Sequence, residues 1–306
     1  SIIDWLNESI PDGGANTRLG KLLDVAYNIE YGLECHEQSS LNLLYLIGYA
    51  GQGQFRAFGK SDERYHVRGG NDQIVTRMAA TLPGQITTRS ELVEVKRLAG
   101  DRYELTFRQG SRRVQVTADK VVLALPFSIL RHSVELTDAG FSERKLQAIE
   151  EQGMGTNSKL QLQFTSRHWY GLGGNGDTFA DTGYQASWEV SRAQPGAQGI
   201  LVDYTGGEIG DSFDSGTLTE RAEQFLEQID PVFPGLAEFW NGKVTLDYWP
   251  GETWARGSYS AYKVGQYTAF AGIASAVGAR KRRGRPRDPQ DVGLHVGFDI
   301  VRVVPE

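Results

Sequence analysis

Five consecutive apolar residues, VVLAL at 121–125, follow a stretch in which apolar and polar residues alternate. A run of this length that ends at Pro126 is typical of a strand buried on both faces, as in a layered α/β domain. Just before it, YELTFR (103–108) and VQVTA (114–118) alternate around Gly110, which predicts a β-hairpin. The combination favours a mixed α+β fold over a repeating βαβ array.

Apolar residues at three- and four-residue spacing predict helices elsewhere in the chain. These helices cover 16–31, a segment after Ser39 and Ser40, a short piece at 72–82 with Ile74, Val75 and Met78 facing inward, a segment containing Leu146 and Ile149, and a helix capped by Thr217 and Glu220. Alternation predicts a strand at 159–164, and further strands are expected at 186–190, 200–204 and 244–249.

Composition excludes several classes of protein. The formal net charge of −6 has the wrong sign for a chain-wide nucleic-acid surface. Cys35 is the only cysteine, so neither an intrachain disulfide nor a thiolate metal cluster can form, and the histidines lack metal-ligand spacing. No apolar run is long enough to predict a membrane span. These features favour a soluble, cytoplasmic protein, although a secreted protein without disulfides is also compatible with them.

Six basic residues lie between Arg280 and Arg287. Two interpretations stay open: a solvated linker, or a local patch that contacts nucleic acid or directs localisation. The chain does not begin with Met and has no signal-peptide pattern at its start. We therefore expect a fragment, with residues 279–306 forming a basic tail that is disordered or of foreign origin.

Several segments carry candidate binding or catalytic residues. GQGQFRAFG (51–59) lacks the preceding strand and the glycine order of a dinucleotide-binding loop, so that interpretation is rejected. RGG (68–70) precedes a predicted helix. A glycine pair there lets the backbone approach a ligand closely, and the free amides at the start of the helix can bind an anionic group. A tight turn before the helix is the plainer interpretation. MGTNSKLQLQF (154–164), HWY (168–170) and WARGSYSAY (254–262) follow later in the chain.

With ELVEV (91–95) and VVLALP (121–126), these segments stand in an order and spacing that resembles the flavin-containing monoamine oxidases over roughly residues 1–270. That family also includes L-amino-acid oxidases and polyamine oxidases. The resemblance implies FAD as cofactor, an amine and molecular oxygen as substrates, and oxidative deamination with release of hydrogen peroxide. It implies that the cofactor contacts come from Arg68, Gly69, Gly70, Leu92, Ala124 and Pro126.

The resemblance also assigns the catalytic groups. Lys159 matches the family lysine that holds a water against the flavin, and Tyr259 matches an aromatic residue beside the substrate amine. Ser258 stands where some members have a cysteine bonded to the flavin, so the resemblance implies noncovalent FAD. From the residues alone two plainer interpretations stay open: Lys159 as an exposed lysine on a polar strand face, and Tyr259 as a core tyrosine.

The expected organisation is a mixed β-sheet substrate domain flanked by helices, beside part of a layered FAD-binding domain that lacks its GxGxxG unit. The expected parts are a helical part of the substrate domain (1–60), a partial FAD-binding domain (61–130), the substrate-binding domain (131–255), a return toward the FAD domain (256–278) and the tail (279–306). Family members begin with the GxGxxG unit and end with a Gly-Glu segment. Neither stands at its expected place in this sequence, so we expect truncation at both ends and FAD binding that is weak or absent.

Two alternatives to an amine oxidase stay open. One is a non-catalytic remnant that keeps the substrate-domain fold, and the other is a related flavin oxidase or desaturase that acts on a non-amine substrate. Among amines, an amino acid would require an arginine that binds its carboxylate, and the sequence does not place one. The sequence therefore predicts the reaction type but no particular amine.

Overall fold

The computed structural model describes residues 1–48, 53, 55–59 and 65–273. Within them the helices are α1 (Ile2–Ser9), α2 (Arg18–Tyr31), α3 (Ser40–Gly48), α4 (Asp72–Ala80), α5 (Phe127–Ser133), α6 (Glu143–Glu151), α7 (His168–Gly171), α8 (Gly207–Asp211), α9 (Leu218–Ile229) and α10 (Gln266–Phe270). The strands are β1 (Glu91–Arg97), β2 (Tyr103–Gln109), β3 (Arg112–Ala118), β4 (Gly153–Met154), β5 (Ser158–Phe164), β6 (Thr178–Phe179), β7 (Ala186–Glu189), β8 (Gly199–Thr205), β9 (Trp240–Tyr248) and β10 (Ser260–Ala261). This mixture confirms the predicted α+β class. The basic run and the expected tail lie outside the described residues.

The largest sheet contains five strands in the order β6-β7-β8-β5-β9, and each neighbouring pair is antiparallel. The predicted alternation of β5 distinguishes the buried face of the sheet from the partly exposed one. Leu160 and Leu162 are fully buried, whereas the intervening Lys159 and Gln161 belong to the opposite, partly exposed face. One face of the sheet therefore forms a hydrophobic core, and the other combines polar side chains of β5 with an aromatic cluster on β7 and β8.

Helix α9 covers the buried face of this sheet. Its Phe225 and Ile229 pack in the same core as Leu160 and Leu162. The helix begins with the predicted capping box: the Thr217 hydroxyl accepts a hydrogen bond from the Glu220 amide at 3.2 Å, and the Glu220 carboxylate accepts one from the Thr217 amide at 2.8 Å. Such a cap fixes where the helix begins and so sets which of its faces meets the sheet.

A buried carboxylate holds the HWY segment against the same sheet. Glu189 accepts hydrogen bonds from Trp169 at 3.1 Å, Tyr170 at 2.6 Å and Ser191 at 2.9 Å, and it pairs with Arg167 at 2.5 Å. Burial opposes ionisation of this carboxyl, but the four donors outweigh burial and lower its pKa. The HWY segment thus has a structural role at the end of β5.

The second sheet is the antiparallel meander β1-β2-β3, which confirms the predicted hairpin. Gly110, between β2 and β3, has φ +62°, a conformation that glycine adopts without strain. The apolar face of the meander packs with α5 and α6 in a second core that contains Val95, Leu130 and Ile149. This core continues past residue 130, and the division of the chain into domains stays a prediction.

The predicted strand at 121–125 is wrong. These residues have no regular secondary structure and belong to none of the sheets among the described residues. Leu123 is 5% exposed, but Val122 on the other side is 43% exposed. An apolar run becomes a strand only when neighbouring strands take up its backbone groups, and no described strand lies beside it.

The helix predicted at 72–82 forms as α4, but its orientation was wrong. Ile74, Val75 and Met78 were expected to face inward, and they are 53%, 70% and 63% exposed. No residue of α4 is buried, and the recorded hydrogen bonds of residues 65–85 join only residues of that segment. The helical period was read correctly, whereas the apolar face has no covering surface within the described part of the chain.

The N-terminal helices form a third core around Leu23, Tyr27 and Leu43. Helix α2 ends as predicted at Gly32, which adopts the left-handed conformation with φ +68°. A Cβ at this position would lie 2.2 Å from the Asn157 Oδ1 atom. The end of α2 therefore packs directly against the chain that enters β5.

The buried face of the large sheet carries a carboxyl group, that of Asp203. Among the described residues of this face, it is the one carboxyl whose pKa is strongly raised. It lies on β8, is 3% exposed, and its Oδ1 atom has no hydrogen-bond partner. Burial raises the pKa of this carboxyl from 3.8 to about 8. The neutral form of this carboxyl is therefore the one that the fold favours. The stability that this preference contributes is fully present below pH 3.8 and is lost as the pH rises to about 8.

We predict that Asp203→Asn is more stable than the parent at about pH 8, by about 1–3 kcal/mol, because the amide removes a charge that has no buried partner. At about pH 4 the difference should be close to zero, since both side chains are then neutral in the folded state. Urea unfolding followed by tryptophan fluorescence measures both values. Asp214→Asn, at an exposed position, is the control, and a gain of Asp203→Asn that is equal at both pH values would contradict the assignment.

Candidate active site on the polar face of the five-stranded sheet

Lys159 lies on the polar face of β5 in a cluster of aromatic rings. Its backbone partner on β8 is Tyr204. The Lys159 Nζ atom is 5.2 Å from the centroid of the Tyr204 ring and 5.7 Å from that of Trp188, which lies on β7. Both distances are within the range of cation–π attraction. The Lys159 ammonium group therefore lies over a surface formed by the rings of Tyr204 and Trp188.

Tyr259 joins the same cluster from the other end of the chain. Its hydroxyl is 3.2 Å from the hydroxyl of Tyr204. Tyr204 is buried, with 8% exposure, whereas Tyr259 is 41% exposed. Lys159 and Tyr259, a hundred positions apart, thus converge through Tyr204, and the exposed Tyr259 ring is free to meet a ligand.

The turn that carries Tyr259 is held by backbone contacts with the segment before β5. The Gly155 amide donates to the Tyr259 carbonyl at 2.7 Å, and the Ser258 amide donates to the Gly155 carbonyl at 2.8 Å. Gly257 has φ +135°, and a Cβ there would lie 2.4 Å from Met154 Cγ. Only glycine fits this position, which lets the turn that carries Tyr259 pass directly against Met154.

Asn157 connects this turn to the rest of the fold. Its side-chain amide donates to the carbonyls of Ile29 at 2.7 Å and Thr205 at 3.2 Å, while its Oδ1 atom accepts from the Ser258 hydroxyl. Asn157 is fully buried. One side chain therefore ties α2, β8 and the turn of Tyr259 to the strand that carries Lys159.

A row of polar groups extends from Lys159 along the same face. Gln161 donates to the Asp247 carboxylate at 2.9 Å and accepts from the Thr245 hydroxyl at 2.9 Å. Gln163 accepts from Asn241 at 2.9 Å. These hydrogen bonds fix the side chains of β5 against those of β9, so the polar face beside the aromatic cluster is ordered by its own side chains.

The predicted cofactor contacts lie in three places. Leu92 and Ala124 line one apolar cavity of about 970 Å³ between the meander and α5, whereas Pro126 stands at the start of α5 and is not among the lining residues. Arg68, Gly69 and Gly70 form an exposed turn before α4. The structure therefore brings Leu92 and Ala124 together, and no recorded hydrogen bond links the RGG turn to them within the described residues.

The sequence interpretation did not include Tyr204, Trp188 or Asn157. The alternation of β8 places Tyr204 on the side opposite the buried Leu201 and Asp203, which could have indicated its face. Its position opposite Lys159 depends on the register between β5 and β8, and that register is not readable from one sequence.

No group of three or more His, Cys, Asp or Glu side chains in the described residues is arranged to hold a metal ion. No helix there has the length and hydropathy needed to cross a bilayer.

The sequence matches the model of a protein family, flavin containing amine oxidoreductase, over residues 7–296. Among characterised proteins, it is 24% identical to lysine-specific histone demethylase 1B of Mus musculus over 213 residues. This aligned region covers 68% of this chain and 25% of that protein. It is also 24% identical to polyamine oxidase 5 of Oryza sativa subsp. japonica over 152 residues. This aligned region covers 49% of this chain and 30% of that protein. The chain thus spans less than a third of the length of these relatives.

Solved structures share the fold. Cyclohexylamine oxidase from Brevibacterium oxydans IH-35A superposes with a TM-score of 0.71 at 18% identity, over 90% of this chain and 59% of that one. A variant of putrescine oxidase superposes with a TM-score of 0.74 at 20% identity, over 91% of this chain and 60% of that one. The family match covers most of the sequence, and the predicted resemblance is confirmed: the chain belongs to the flavin-containing amine oxidoreductases.

Proposed function

We propose that this chain forms the substrate side of an FAD-dependent enzyme that oxidatively deaminates a primary or secondary amine. The observation that carries the proposal is the convergence of Lys159, Tyr204, Trp188 and Tyr259 on one face of the large sheet. An ordered cluster that combines a lysine with three rings is suited to orient an amine, because electron-rich rings attract cations and also direct neutral amines.

The roles of the side chains follow from their exposure and contacts. Tyr259, which is partly exposed, contacts the amine, and the buried Tyr204 fixes the Tyr259 hydroxyl from behind. Lys159 holds a water at its Nζ atom, so the amine and the water are placed on the same side of the sheet. When bound at this face, a flavin would supply the two-electron oxidation of the amine, with oxygen as the final electron acceptor. The protein contributes orientation.

Noncovalent FAD is supported by the side chains at the turn. The residue before Tyr259 is Ser258, whose hydroxyl donates to Asn157 Oδ1. Serine has no thiol with which to form a thioether. The single cysteine, Cys35, is 1% exposed in the helical core, where its thiol donates to the Asp24 carbonyl at 3.3 Å. Neither residue offers a covalent attachment point for a flavin.

The cavity lined by Leu92 and Ala124 supports the predicted cofactor side of the chain. Its lining is largely apolar, and it lies in the core that the meander shares with α5. We propose that residues 61–130 and 256–278 belong to this side, and that 1–60 and 131–255 form the substrate side. Arg68, Gly69 and Gly70 are exposed at the start of α4, where glycine amides can approach phosphate groups.

The substitution Lys159→Met tests the lysine. With FAD in excess, we predict that peroxide release from the best amine of a panel falls by about 10²-fold, because the thioether side chain fills the space but cannot position the water. Lys243→Met, on the neighbouring strand β9 at an exposed position, should keep the parent rate. Equal rates for both variants would return Lys159 to the plain interpretation of an exposed strand lysine.

The pair Tyr259→Phe and Tyr259→Ala separates the ring from the hydroxyl. We predict that Ala raises KM for the amine by about tenfold, since the loss of an aromatic face costs about 1 kcal/mol or more, whereas Phe changes it by less than about threefold. Steady-state peroxide kinetics measure both. If Phe and Ala are equally impaired, the hydroxyl rather than the ring recognises the amine.

The same assay decides between the proposal and its alternatives. Release of peroxide with amines, and not with their carbon-skeleton analogues, supports amine oxidation. Flavin reduction by the analogues alone would favour an oxidase or desaturase of non-amine substrates. FAD binding without turnover of any compound in the panel would favour a non-catalytic remnant.

A further inference from the structure

A small polar cavity lies between strand β8 and helix α9. Its volume is about 30 Å³, which is room for one or two water molecules. Asp203 of β8 and Arg221 of α9 both line it, together with the side-chain amides of Gln224 and Gln228. Among the described residues, Arg221 is the one cationic side chain in this lining. A buried carboxyl and a guanidinium group thus face one cavity, and no hydrogen bond joins them.

The neighbouring strands offer Asp203 no partner on the buried face of the sheet. Leu160, which pairs with Asp203 across β5, is apolar. Ser187 pairs with it across β7, but the Ser187 hydroxyl already donates to the Gly176 carbonyl at 2.9 Å. The partner of an ionised Asp203 therefore has to come from the side of the helix.

The other titratable groups around the cavity stay neutral, are paired or face solvent. Burial raises the pKa of Tyr184 to about 12, so this phenol stays neutral. Glu189, two residues along β7 from Ser187, is paired with Arg167. The remaining carboxyl groups of α9 and of the segment before it are exposed: Glu208, Asp211, Asp214, Glu220, Glu223 and Glu227. Arg221 is therefore the charged group that can respond to Asp203.

The Arg221 guanidinium group at present holds the turn 212–215 against α9. Its Nε atom donates to the Ser215 carbonyl at 3.0 Å, and its Nη2 atom donates to the Ser212 carbonyl. The group also lies over the Phe213 ring, 4.9 Å from its centroid. Ser212 and Ser215 are exposed, so water can replace the guanidinium group at both carbonyls. We call Arg221 with Ser212, Phe213 and Ser215 the 212–215 clamp.

Ionisation of Asp203 changes which acceptor binds the guanidinium group best. A carboxylate is a stronger acceptor than a neutral carbonyl, and its attraction to a cation grows where water is excluded. A buried carboxylate without a partner is costly, whereas exposed carbonyls lose little when water replaces their donor. We propose that Arg221 moves into the cavity and pairs with Asp203 once that carboxyl is ionised, which opens the 212–215 clamp. The inference does not rest on the proposed function.

The direction of the pH dependence follows from the two effects on Asp203. Burial raises its pKa to about 8, and pairing with Arg221 lowers it. The clamp is therefore closed at low pH and opens as the pH rises through a midpoint at or below about 8. The pairing offsets only part of the cost of burying the charge, so ionisation still lowers the stability of the fold.

The opening is confined to a short stretch of chain. Before the clamp, the Ser158 hydroxyl donates to the Gly210 carbonyl at 2.7 Å, and the Tyr248 hydroxyl donates to the Asp211 carbonyl at 3.1 Å. These contacts do not involve Asp203 or Arg221, so they hold the chain up to residue 211 in both states. The released part is the turn 212–215.

Nuclear magnetic resonance of the full chain follows both groups as the pH rises from about 5 to about 10. We expect the Asp203 Cγ resonance and the Arg221 Nε and Cζ resonances to move with one common midpoint. The backbone amide of Gly216, which follows the Ser215 carbonyl, should shift at the same midpoint. In Asp203→Asn, the Arg221 and Gly216 resonances should stay constant over the same range.

Three arginine variants test the pairing itself. Arg221→Met removes the cation, so the titration midpoint of Asp203 should rise by about one pH unit or more. Arg221→Lys keeps a positive charge and should restore most of this shift. Arg18→Met, at an exposed position of α2 outside the cavity lining, removes the same charge and should leave the midpoint unchanged. Far-UV circular dichroism of each variant checks that the fold is kept.

Three results would overturn the proposal. Arg221 resonances that stay constant while Asp203 titrates would show that the guanidinium group keeps its place. Equal Asp203 midpoints in the parent and in Arg221→Met would show that another group or a solvent ion neutralises the carboxylate. An Asp203 carboxyl that stays neutral up to about pH 10 would leave Arg221 without an anion to bind. None of these results depends on FAD or on whether an amine is oxidised.

Discussion

The Asn157 side chain is the contact on which the candidate site depends. It is fully buried and joins three separate parts of the chain: the end of α2, strand β8 and the turn that carries Tyr259. Buried amides that use both donor and acceptor atoms hold their neighbours in one arrangement, because an unpaired polar atom in that position is costly. Lys159 follows two residues later, so the position of the lysine relative to Tyr204 and Tyr259 is set by the same contact.

The parts of the fold that the sequence predicted are those decided by local rules. The alternation of β5, the capping box of α9 and the glycine end of α2 depend on residues a few positions apart. The two errors, the strand at 121–125 and the inward face of α4, concern segments whose apolar residues stay partly or largely exposed among the described residues. Local pattern shows that a surface is apolar, but it does not show that anything covers it.

The candidate site divides in the same way. Lys159 and Tyr259 came from motifs, and the structure adds the side chains between them, Tyr204 and Trp188, which depend on strand register. A one-residue slip between β5 and β8 would move Tyr204 to the hydrophobic face of the sheet. The site is therefore a product of pairing across the sheet, and its motifs are only the parts that remain recognisable in a single sequence.

Cys35 gives the molecule a practical property. Its thiol is buried in the helical core, and burial raises its pKa, so alkylating and maleimide reagents meet almost no thiolate on the folded chain. We therefore expect such reagents to react with Cys35 only slowly while the chain is folded. A single cysteine introduced beside the aromatic cluster or on α4 would accordingly be labelled alone, and the native sequence provides that selectivity without further substitution.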